Sequence, residues 1–152
     1  MIFRLANEKD IDKLAQLRWE HEYEVEKESF KVSKDDFMKE CAAFLKDGLQ
    51  TGNWVYWIAE ENNKIVANIY VHRIRKVPKP QKLFNEIGYV TNVHTRIEYR
   101  NQGIGEQLLK KVKEWAIENN IESLFVWPSE KAVSFYERQG FKAENDIMEL
   151  EL

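Results

Sequence analysis

The sequence predicts one α/β domain in which short strands alternate with amphipathic helices. Its 152 residues suit a single domain with a substantial core. Runs of β-branched, aromatic or alternating residues, typical of strands, occur near both termini and in the middle of the chain. Longer segments between them carry apolar residues at helical spacing. Since no repeat, low-complexity segment or change in composition marks a boundary, we expect residues 1–152 to form one domain.

The N-terminal third predicts a strand followed by two helices. Residues 2–5 alternate as a strand does, and Asn7 is suited to cap a helix that extends to about Glu26. Ser33 is suited to begin the second helix, and Gly48 to end it as a C-terminal cap.

The first helix ends in glutamates at every second position, namely Glu20, Glu22, Glu24, Glu26 and Glu28. This spacing spreads charge around a helix, which favours a solvated surface. The functional alternative places Glu22 or Glu26 at a cleft. There it would attract a cationic substrate beside an aromatic wall of Trp19 and Tyr23.

The middle of the chain predicts a β-hairpin over residues 54–75, with its turn at 61–64. The proline-containing basic loop at 76–82 is interpreted as a surface connection, and a border of the active site is the alternative. A strand from Phe84 to Thr95 follows.

The C-terminal part predicts alternating helices and strands. They are a helix over 103–119, a strand over 121–127, a helix from Pro128 to Gly140, and strands at 141–143 and 147–152.

Composition excludes several partners. The chain is 43% hydrophobic and 32% charged, which is typical of a soluble globular protein rather than a disordered one. Its net charge of −3, with acids and bases mixed throughout, argues against a nucleic-acid partner. The N-terminus lacks a signal-peptide core and no apolar run approaches membrane-spanning length. We therefore expect a cytoplasmic protein without a membrane partner.

Neither the cysteine nor the mid-chain histidine predicts a reactive site. Cys41 lies in an apolar helical pattern, which favours a buried thiol over a nucleophile. His72 lies in a strand without a second His/Cys cluster, so no metal site is predicted.

The most informative segment runs from Val93 to Leu109, where a strand turns through a glycine-containing loop into a helix. The first N–H groups of such a helix lack partners, and the helix dipole favours negative charge there. Gly103 and Gly105 carry no Cβ that would hold a ligand away from the backbone. We therefore predict that a pyrophosphate binds at this loop.

Residue identity excludes two other phosphate-binding patterns. A P-loop requires Lys and Ser/Thr after its last glycine, whereas Glu106 and Gln107 follow Gly105. The dinucleotide fingerprint requires a third glycine where Leu108 stands. A nucleotide triphosphatase is therefore not indicated.

Two motifs resemble the GNAT acyltransferase superfamily. The run Arg100-Asn101-Gln102-Gly103-Ile104-Gly105 resembles its (Gln/Arg)-x-x-Gly-x-(Gly/Ala) coenzyme A loop. The run from Ser129 to Phe141 resembles its second signature, Asn-x-x-Ala-x-x-Phe-Tyr-x-x-x-Gly-Phe, in the expected order and at the expected distance. The resemblance implies a GNAT-like fold, a mixed, mostly antiparallel sheet flanked by helices. In that fold the strand before the glycine loop and the strand at 121–127 splay apart to admit the pantetheine arm.

The resemblance also implies which residues bind the cofactor. Backbone groups near Val93, His94 and Thr95 would pair with the pantetheine amides like an added strand. Backbone N–H groups of the loop would hold the pyrophosphate, and these belong to Asn101, Gln102, Gly103, Ile104, Gly105 and Glu106, with Arg100 at the first motif position. Ser129 and Ala132 fall in the second signature, although Ser129 stands where the family usually has Asn.

Tyr136 matches the tyrosine that in many relatives protonates the departing coenzyme A thiolate. A phenol with a pKa of about 10 can donate to a thiolate of about 8.5 when placed within hydrogen-bonding distance. The alternative role for Tyr136 is a packed aromatic beside Phe135.

The sequence leaves the general base open. A lysine-like amine has a pKa of about 10.4, so removing its proton at pH 7 costs roughly 4 to 5 kcal/mol. Period two predicts that one face of the strand carries Tyr89, Thr91, Val93 and Thr95 and the other carries Glu86, Asn92 and His94. The candidates are a water relayed through Tyr89 or Thr91, the first-helix carboxylate of Glu22, and Glu86 acting across a bulge.

These features together predict an acetyl-CoA-dependent N-acetyltransferase. It would move the acetyl group to a primary amine of a small molecule or peptide by direct transfer in a ternary complex, without metal. A non-catalytic acyl-CoA-binding module and a structural domain without cofactor are the alternatives. We expect a monomer or a homodimer.

Overall fold

A computed structural model describes residues 1–143 and 147–152. Its strands and helices are β1 (Ile2–Leu5), α1 (Ile11–Glu26), α2 (Lys34–Thr51), β2 (Trp54–Glu61), β3 (Lys64–Arg75), β4 (Glu86–Thr95), α3 (Ile104–Glu118), β5 (Ile121–Phe125) and α4 (Val133–Arg138). The strands form one sheet in the order β1-β2-β3-β4-β5. The first three pairings are antiparallel and the β4–β5 pairing is parallel. The predicted α/β fold with a mixed, mostly antiparallel sheet is confirmed.

A hydrophobic core lies on each side of the sheet. On one side, which we call the α1/α2 face, Leu14, Leu17 and Leu45 pack with Tyr56 and Ile58 of β2. On the other side, the α3 face, the buried side of α3 packs on the sheet through Leu108, Leu109 and Val112, near Val71 and Val90. Each of these fully buried side chains contributes roughly 1.5 to 3 kcal/mol, so the two cores fix the helices to the sheet.

Side-chain caps begin both N-terminal helices, as the sequence predicts. The Asn7 side chain accepts a hydrogen bond from the Lys9 N–H at 3.0 Å, and Asp10 accepts one from the Asn7 N–H at 2.9 Å. This capping box opens a 3-10 turn that leads into α1. The Ser33 hydroxyl caps α2 by accepting from the Asp36 N–H.

The predicted end of α2 at Gly48 is wrong, because the helix continues to Thr51 and ends at Gly52 in a left-handed conformation with φ of 73°. Gly48 lies inside the helix and is buried. A Cβ at that position would overlap the Tyr56 hydroxyl and lie 2.8 Å from the Trp54 Cβ. The glycine is therefore required by the close approach of α2 to β2, and Gly52 takes the capping role.

The β-hairpin over 54–75 is confirmed, and its turn residues Asn62 and Asn63 both have positive φ. The next two strands are shorter than predicted. β4 begins at Glu86 rather than Phe84, and β5 ends at Phe125 rather than Trp127. Among the described residues, none of the helices has the length and apolar character that a bilayer crossing needs.

The strands predicted at 141–143 and 147–152 are absent from these described segments. The Phe141 N–H donates to the Tyr136 carbonyl at 3.1 Å, so this residue still belongs to the turn that ends α4. Farther on, the side chains of Met148 and Leu150 are 99% and 83% exposed instead of facing a neighbouring strand. Alternation predicts which side chains share a face, but a strand also needs a partner for its backbone.

Candidate active site

The loop between β4 and α3 presents an uncapped helix N-terminus. Asn101 and Gly103 adopt left-handed conformations, with φ of 59° and 75°, and Gly103 is the N-cap residue. The first intrahelical bond runs from the Gln107 N–H to the Gly103 carbonyl at 3.0 Å. The N–H groups of residues 104–106 precede that bond, and glycine offers no side chain to cap them. An anion is the natural partner for these groups.

β4 and β5 separate close to this helix end. Their register ends at the pair Tyr89 and Phe125, whereas β4 continues to Thr95. Residues 90–95 therefore have no partner strand on the β5 side within the described chain. This gap is the splay that the sequence resemblance implies.

The open edge of β4 directs the backbone groups of Val93 and Thr95 into the gap. The Arg96 N–H donates to the Val66 carbonyl of β3 at 2.9 Å. Because backbone groups alternate along a strand, His94 also points its backbone toward β3, and Val93 and Thr95 point theirs away from it. An extended amide-containing ligand could therefore pair with Val93 and Thr95 as an added strand.

A β-bulge at Asn92 changes which side chains share a face of β4. Asn92 has φ of 48°, and the β3–β4 register shifts between Asn68 and Tyr70. Before the bulge Val90 faces α3, and after it Val93 also faces α3. The period-two prediction is therefore wrong across residue 92: Tyr89 and Thr91 share the α1/α2 face with His94.

The same correction moves Glu86 away from its predicted neighbours. Glu86 lies on the α3 face together with Val90, where Arg73 holds its carboxylate at 2.9 Å. The Arg73 guanidinium in turn lies over the ring of Trp115 in α3. Glu86 is therefore on the opposite side of the sheet from Tyr89 and Thr91.

The first turn of α3 faces α4 across the gap. A Cβ built on Gly105 would lie 3.8 Å from the Phe135 ring and 3.8 Å from the Thr95 hydroxyl. These are ordinary contact distances, so the fold itself does not demand a glycine there. The structure thus brings the glycine loop, the end of β4 and the second signature motif together.

Tyr136 is buried beside this gap. Its ring packs edge-on against Phe135 and Phe141, at centroid distances of 5.2 and 5.4 Å. Burial, followed by the neighbouring Tyr89, raises the pKa of Tyr136 to about 12. The phenol is therefore protonated throughout the neutral range. Ala132 packs against the same core, and Ser129 is exposed at the start of the turn that leads into α4.

Other predicted site residues have contacts of their own. Arg100 donates to the Thr95 carbonyl at 2.8 Å and to Glu24 at 2.7 Å. Gln102 bonds the Glu98 carbonyl, and Ile104 points into the core. Glu106 is exposed in the first turn of α3.

His94 differs from its predicted neighbours because its ring lies on the α1/α2 face, stacked on His21. Its side chain is therefore on the other side of the sheet from the Thr95 hydroxyl. The structure brings the backbone of Val93 and Thr95 to the gap and leaves the His94 imidazole outside it.

The acidic end of α1 is neutralised by arginines. Glu22 pairs with Arg18 at 2.8 Å and Glu24 with Arg100 at 2.7 Å. Glu20 pairs with Arg96. The alternative aromatic wall is also engaged in packing, since the Trp19 ring lies 4.6 Å from that of Phe30.

Cys41 is half-buried, and burial raises the pKa of its thiol. This agrees with the predicted packed thiol. Within residues 1–143 and 147–152 no group of three potential metal-ligating side chains comes together.

The largest cavity, of about 750 Å³, lies along the outer edge of β5. The end of α3, α4 and the chain beyond Gly140 also line it. The glycine loop and β4 do not contribute to its described lining, so this cavity is separate from the gap between β4 and β5.

The splayed sheet beside an uncapped α3 is the GNAT-type arrangement that the two sequence motifs predict. The profile of the Acetyltransferase (GNAT) family matches residues 11–141. The chain belongs to that family. A search of curated proteins finds no significant match.

Several solved structures are similar over nearly the whole chain. A predicted acetyltransferase from Clostridium acetobutylicum, solved with acetyl-CoA, is 29% identical with a TM-score of 0.82; the match covers 99% of this chain and 95% of that one. A GCN5-related N-acetyltransferase from Ralstonia eutropha is 19% identical with a TM-score of 0.77, covering 99% and 97%. An aminoglycoside acetyltransferase from an uncultured soil metagenomic sample, in complex with trehalose, is 20% identical with a TM-score of 0.76, covering 99% and 94%. The last two show the shared fold.

Sequence reasoning missed the bulge at Asn92 and the aromatic contacts of Tyr89 with Phe125 and Trp127. A left-handed asparagine inside a strand leaves no mark in hydrophobic periodicity. The aromatic residues were visible, but their contact depends on the register between β4 and β5.

Proposed function

We propose that this protein is an acetyl-CoA-dependent N-acetyltransferase that acetylates a primary amine of a small molecule or peptide. One observation carries the proposal: the uncapped N-terminus of α3 and the open edge of β4 meet at the same gap. The first can hold a diphosphate and the second an amide-containing arm, which are the two parts of coenzyme A. The acetyl-CoA bound to the similar protein from Clostridium acetobutylicum supports this choice of donor.

The donor would be held mainly by the protein backbone. The N–H groups of residues 104–106 would bind the diphosphate, and Val93 and Thr95 would pair with the pantetheine amides. Arg100 would add a positive charge at the loop, and its side chain is tied to Glu24 in the structure described here. Pairing along β4 would bring the thioester toward the bulge at Asn92.

The reaction is a direct acyl transfer. The amine nitrogen attacks the thioester carbon, a C–N bond forms, the C–S bond breaks, and the sulfur leaves as a thiolate. Tyr136 would donate its phenolic proton to that thiolate, and its raised pKa keeps the proton in place at neutral pH. The attacking nitrogen loses its proton to solvent.

The geometry favours a water relay as the route for the nitrogen's proton. Glu86 is held by Arg73 on the α3 face, and Glu22 is paired with Arg18. Tyr89 and Thr91 lie on the α1/α2 face of β4 where the gap opens. Their hydroxyl groups would position a water that accepts the proton.

A non-catalytic acyl-CoA-binding module is the second candidate. It is favoured by one observation: the carboxylates near β4 on the described part of α1 are engaged by arginines. A module would bind acetyl-CoA and release no thiol.

Two measurements test the proposal together. Calorimetry would report acetyl-CoA binding, and thiol release with mass spectrometry of the products would report acetylation across a panel of primary amines. Binding with amine-dependent thiol release and an acetylated amine supports the enzyme. Binding without release from any amine supports the module, and no binding overturns both.

A further inference from the structure

Three aromatic side chains form a cluster where β4 and β5 separate. Tyr89 and Phe125 are register partners, and their rings stack with centroids 5.3 Å apart. Trp127 packs edge-on against both, at 4.8 Å from Tyr89 and 5.4 Å from Phe125. We call these three residues the aromatic platform.

The aromatic platform lies on the α1/α2 face. Val90, the next residue along β4, is buried in the core on the α3 face. Side chains alternate along a strand, so Tyr89 projects to the opposite face. Its neighbour across β3 is His72, which stacks on Trp54 at 4.5 Å, and Trp54 packs against the α1/α2 core.

Helix α2 covers this face at the Trp54 end and leaves the platform open. Phe44 of α2 packs edge-on on Trp54 at 5.3 Å. Neither α1 nor α2 makes more than marginal contact with β5 in the described chain. Trp127 is accordingly 62% exposed. Exposed aromatic rings beside a gap that leads to a reacting group are typical of a substrate-binding surface.

The platform adjoins the place where the thioester carbon would lie. Tyr89 and Phe125 are the last paired residues of β4 and β5, and the open edge of β4 begins directly after them. A molecule lying on the platform would therefore have one end at the start of the gap.

The electrostatics beside the platform do not suit a highly charged amine. Ile87 and Thr91 flank Tyr89 on the same face and are uncharged. The α1 carboxylates that would attract a polycation are neutralised by arginines, as in the pair of Glu24 with Arg100. A polyamine or an aminoglycoside would find aromatic carbon here instead of carboxylate oxygens.

We propose that the acceptor is a small primary amine that carries an aromatic ring, with the ring packed on Tyr89, Phe125 and Trp127. This rests on the proposed function. Stacking and edge-on contacts with the platform would hold the ring, and the amine would reach the thioester at the start of the gap.

The test compares amines that differ in the ring alone. With coenzyme A saturating, calorimetry would measure binding of 2-phenylethylamine, butylamine and spermidine, and thiol release from acetyl-CoA would give kcat and KM for each. We expect 2-phenylethylamine to bind roughly 10- to 100-fold more tightly than butylamine, and spermidine to bind no better than butylamine.

Variants locate the effect. Trp127→Ala should remove most of the preference for 2-phenylethylamine by raising its KM, and should leave butylamine unchanged. Trp127→Phe should restore part of the preference because it keeps a ring. Phe44→Ala is the matched control, since Phe44 is a half-exposed aromatic residue outside the platform. Thermal unfolding would verify that each variant is folded.

The outcomes separate this inference from the proposed function. Equal binding of butylamine and 2-phenylethylamine, or an unchanged preference in Trp127→Ala, overturns the inference even if acetyl-CoA is consumed. Ring-dependent binding that Trp127→Ala abolishes supports it even if no thiol is released, in which case the proposed enzyme fails. If acetyl-CoA does not bind, the same amine titrations on the cofactor-free protein decide the inference alone.

Discussion

His21 of α1 stacks on His94 of β4, with ring centroids 4.2 Å apart and an angle of 20° between the rings. The Nδ1 atom of His21 and the Nε2 atom of His94 are buried without a hydrogen-bond partner. Burial lowers the pKa of both imidazoles, and the neighbouring His21 lowers that of His94 further, to about 4. The pair therefore joins α1 to the sheet as two neutral rings.

This pair predicts a loss of stability in mild acid. Between about pH 6.5 and pH 4 the unfolded chain binds a proton at residue 94 that the folded chain does not, so the free energy of unfolding falls as pH falls. His94→Phe keeps a ring and removes the titration. We expect urea unfolding between pH 7 and pH 4 to show a decrease smaller by up to about 3 kcal/mol in the variant.

The third histidine provides the control for that experiment. His72 stacks on Trp54 outside the pair. His72→Phe should lose stability with pH as the unaltered protein does. Charged groups near the pair, namely Arg18, Glu22, Glu24, Arg96 and Arg100, are common to all these proteins and cancel in the comparison. An identical pH dependence in His94→Phe and His72→Phe would contradict the account.

Gly48 predicts an inverted effect of alanine in a helix. Glycine inside a helix usually costs roughly 0.5 to 1 kcal/mol relative to alanine. Here a Cβ would overlap the Tyr56 hydroxyl, so we expect Gly48→Ala to lower the free energy of unfolding by about 1 to 3 kcal/mol. Gly40s neighbours on α2 are unaffected by Ala43, which is exposed, so the helix itself tolerates alanine. Chemical denaturation showing a more stable Gly48→Ala would refute the close approach of α2 to β2.

Tyr136 predicts a loss of turnover without a loss of cofactor binding. Tyr136→Phe removes the proton donor and keeps the ring that packs against Phe135 and Phe141. We expect kcat to fall by about 10²-fold and the Kd for acetyl-CoA to stay within twofold.

The matched control for the lost hydroxyl is Tyr56→Phe. The Tyr56 hydroxyl donates to the Leu45 carbonyl at 3.1 Å inside the other core. Its loss should reduce stability by about 1 kcal/mol and leave kcat unchanged. An unchanged kcat in Tyr136→Phe would show that Tyr136 is only a packed aromatic.

Local chemistry made much of the fold predictable. Asn7 and Ser33 cap their helices within three residues, and the hairpin turn at 62–63 closes on its own strands, so short segments contain the whole signal. Gly48 misled the prediction because a glycine demanded by a tertiary contact looks the same in sequence as a capping glycine. The strands expected after Gly140 failed because alternation carries no information about a partner strand.

The site was predictable where the backbone forms it. The glycine loop gave the helix N-terminus directly, since Gly103 is the N-cap residue of α3. The faces of β4 could not be derived, because the bulge at Asn92 inserts one residue and reverses the alternation after it. The pairing of Glu22 and Glu24 with arginines also depends on tertiary structure, since Glu24 meets Arg100 from a distant part of the chain.

The central claim is that backbone N–H groups at the start of α3 hold the diphosphate of acetyl-CoA. Gly103→Asp tests it, because aspartate tolerates a left-handed conformation and its carboxylate would occupy and repel an anion at that helix end. Gly52→Asp is the matched control, since Gly52 has φ of 73° against 75° for Gly103 and ends a different helix.

Calorimetric titration of acetyl-CoA into these two variants and the unaltered protein is the most direct measurement. The account predicts that Gly103→Asp weakens binding by at least about tenfold and that Gly52→Asp does not change it. Equal affinities in all three proteins would contradict it.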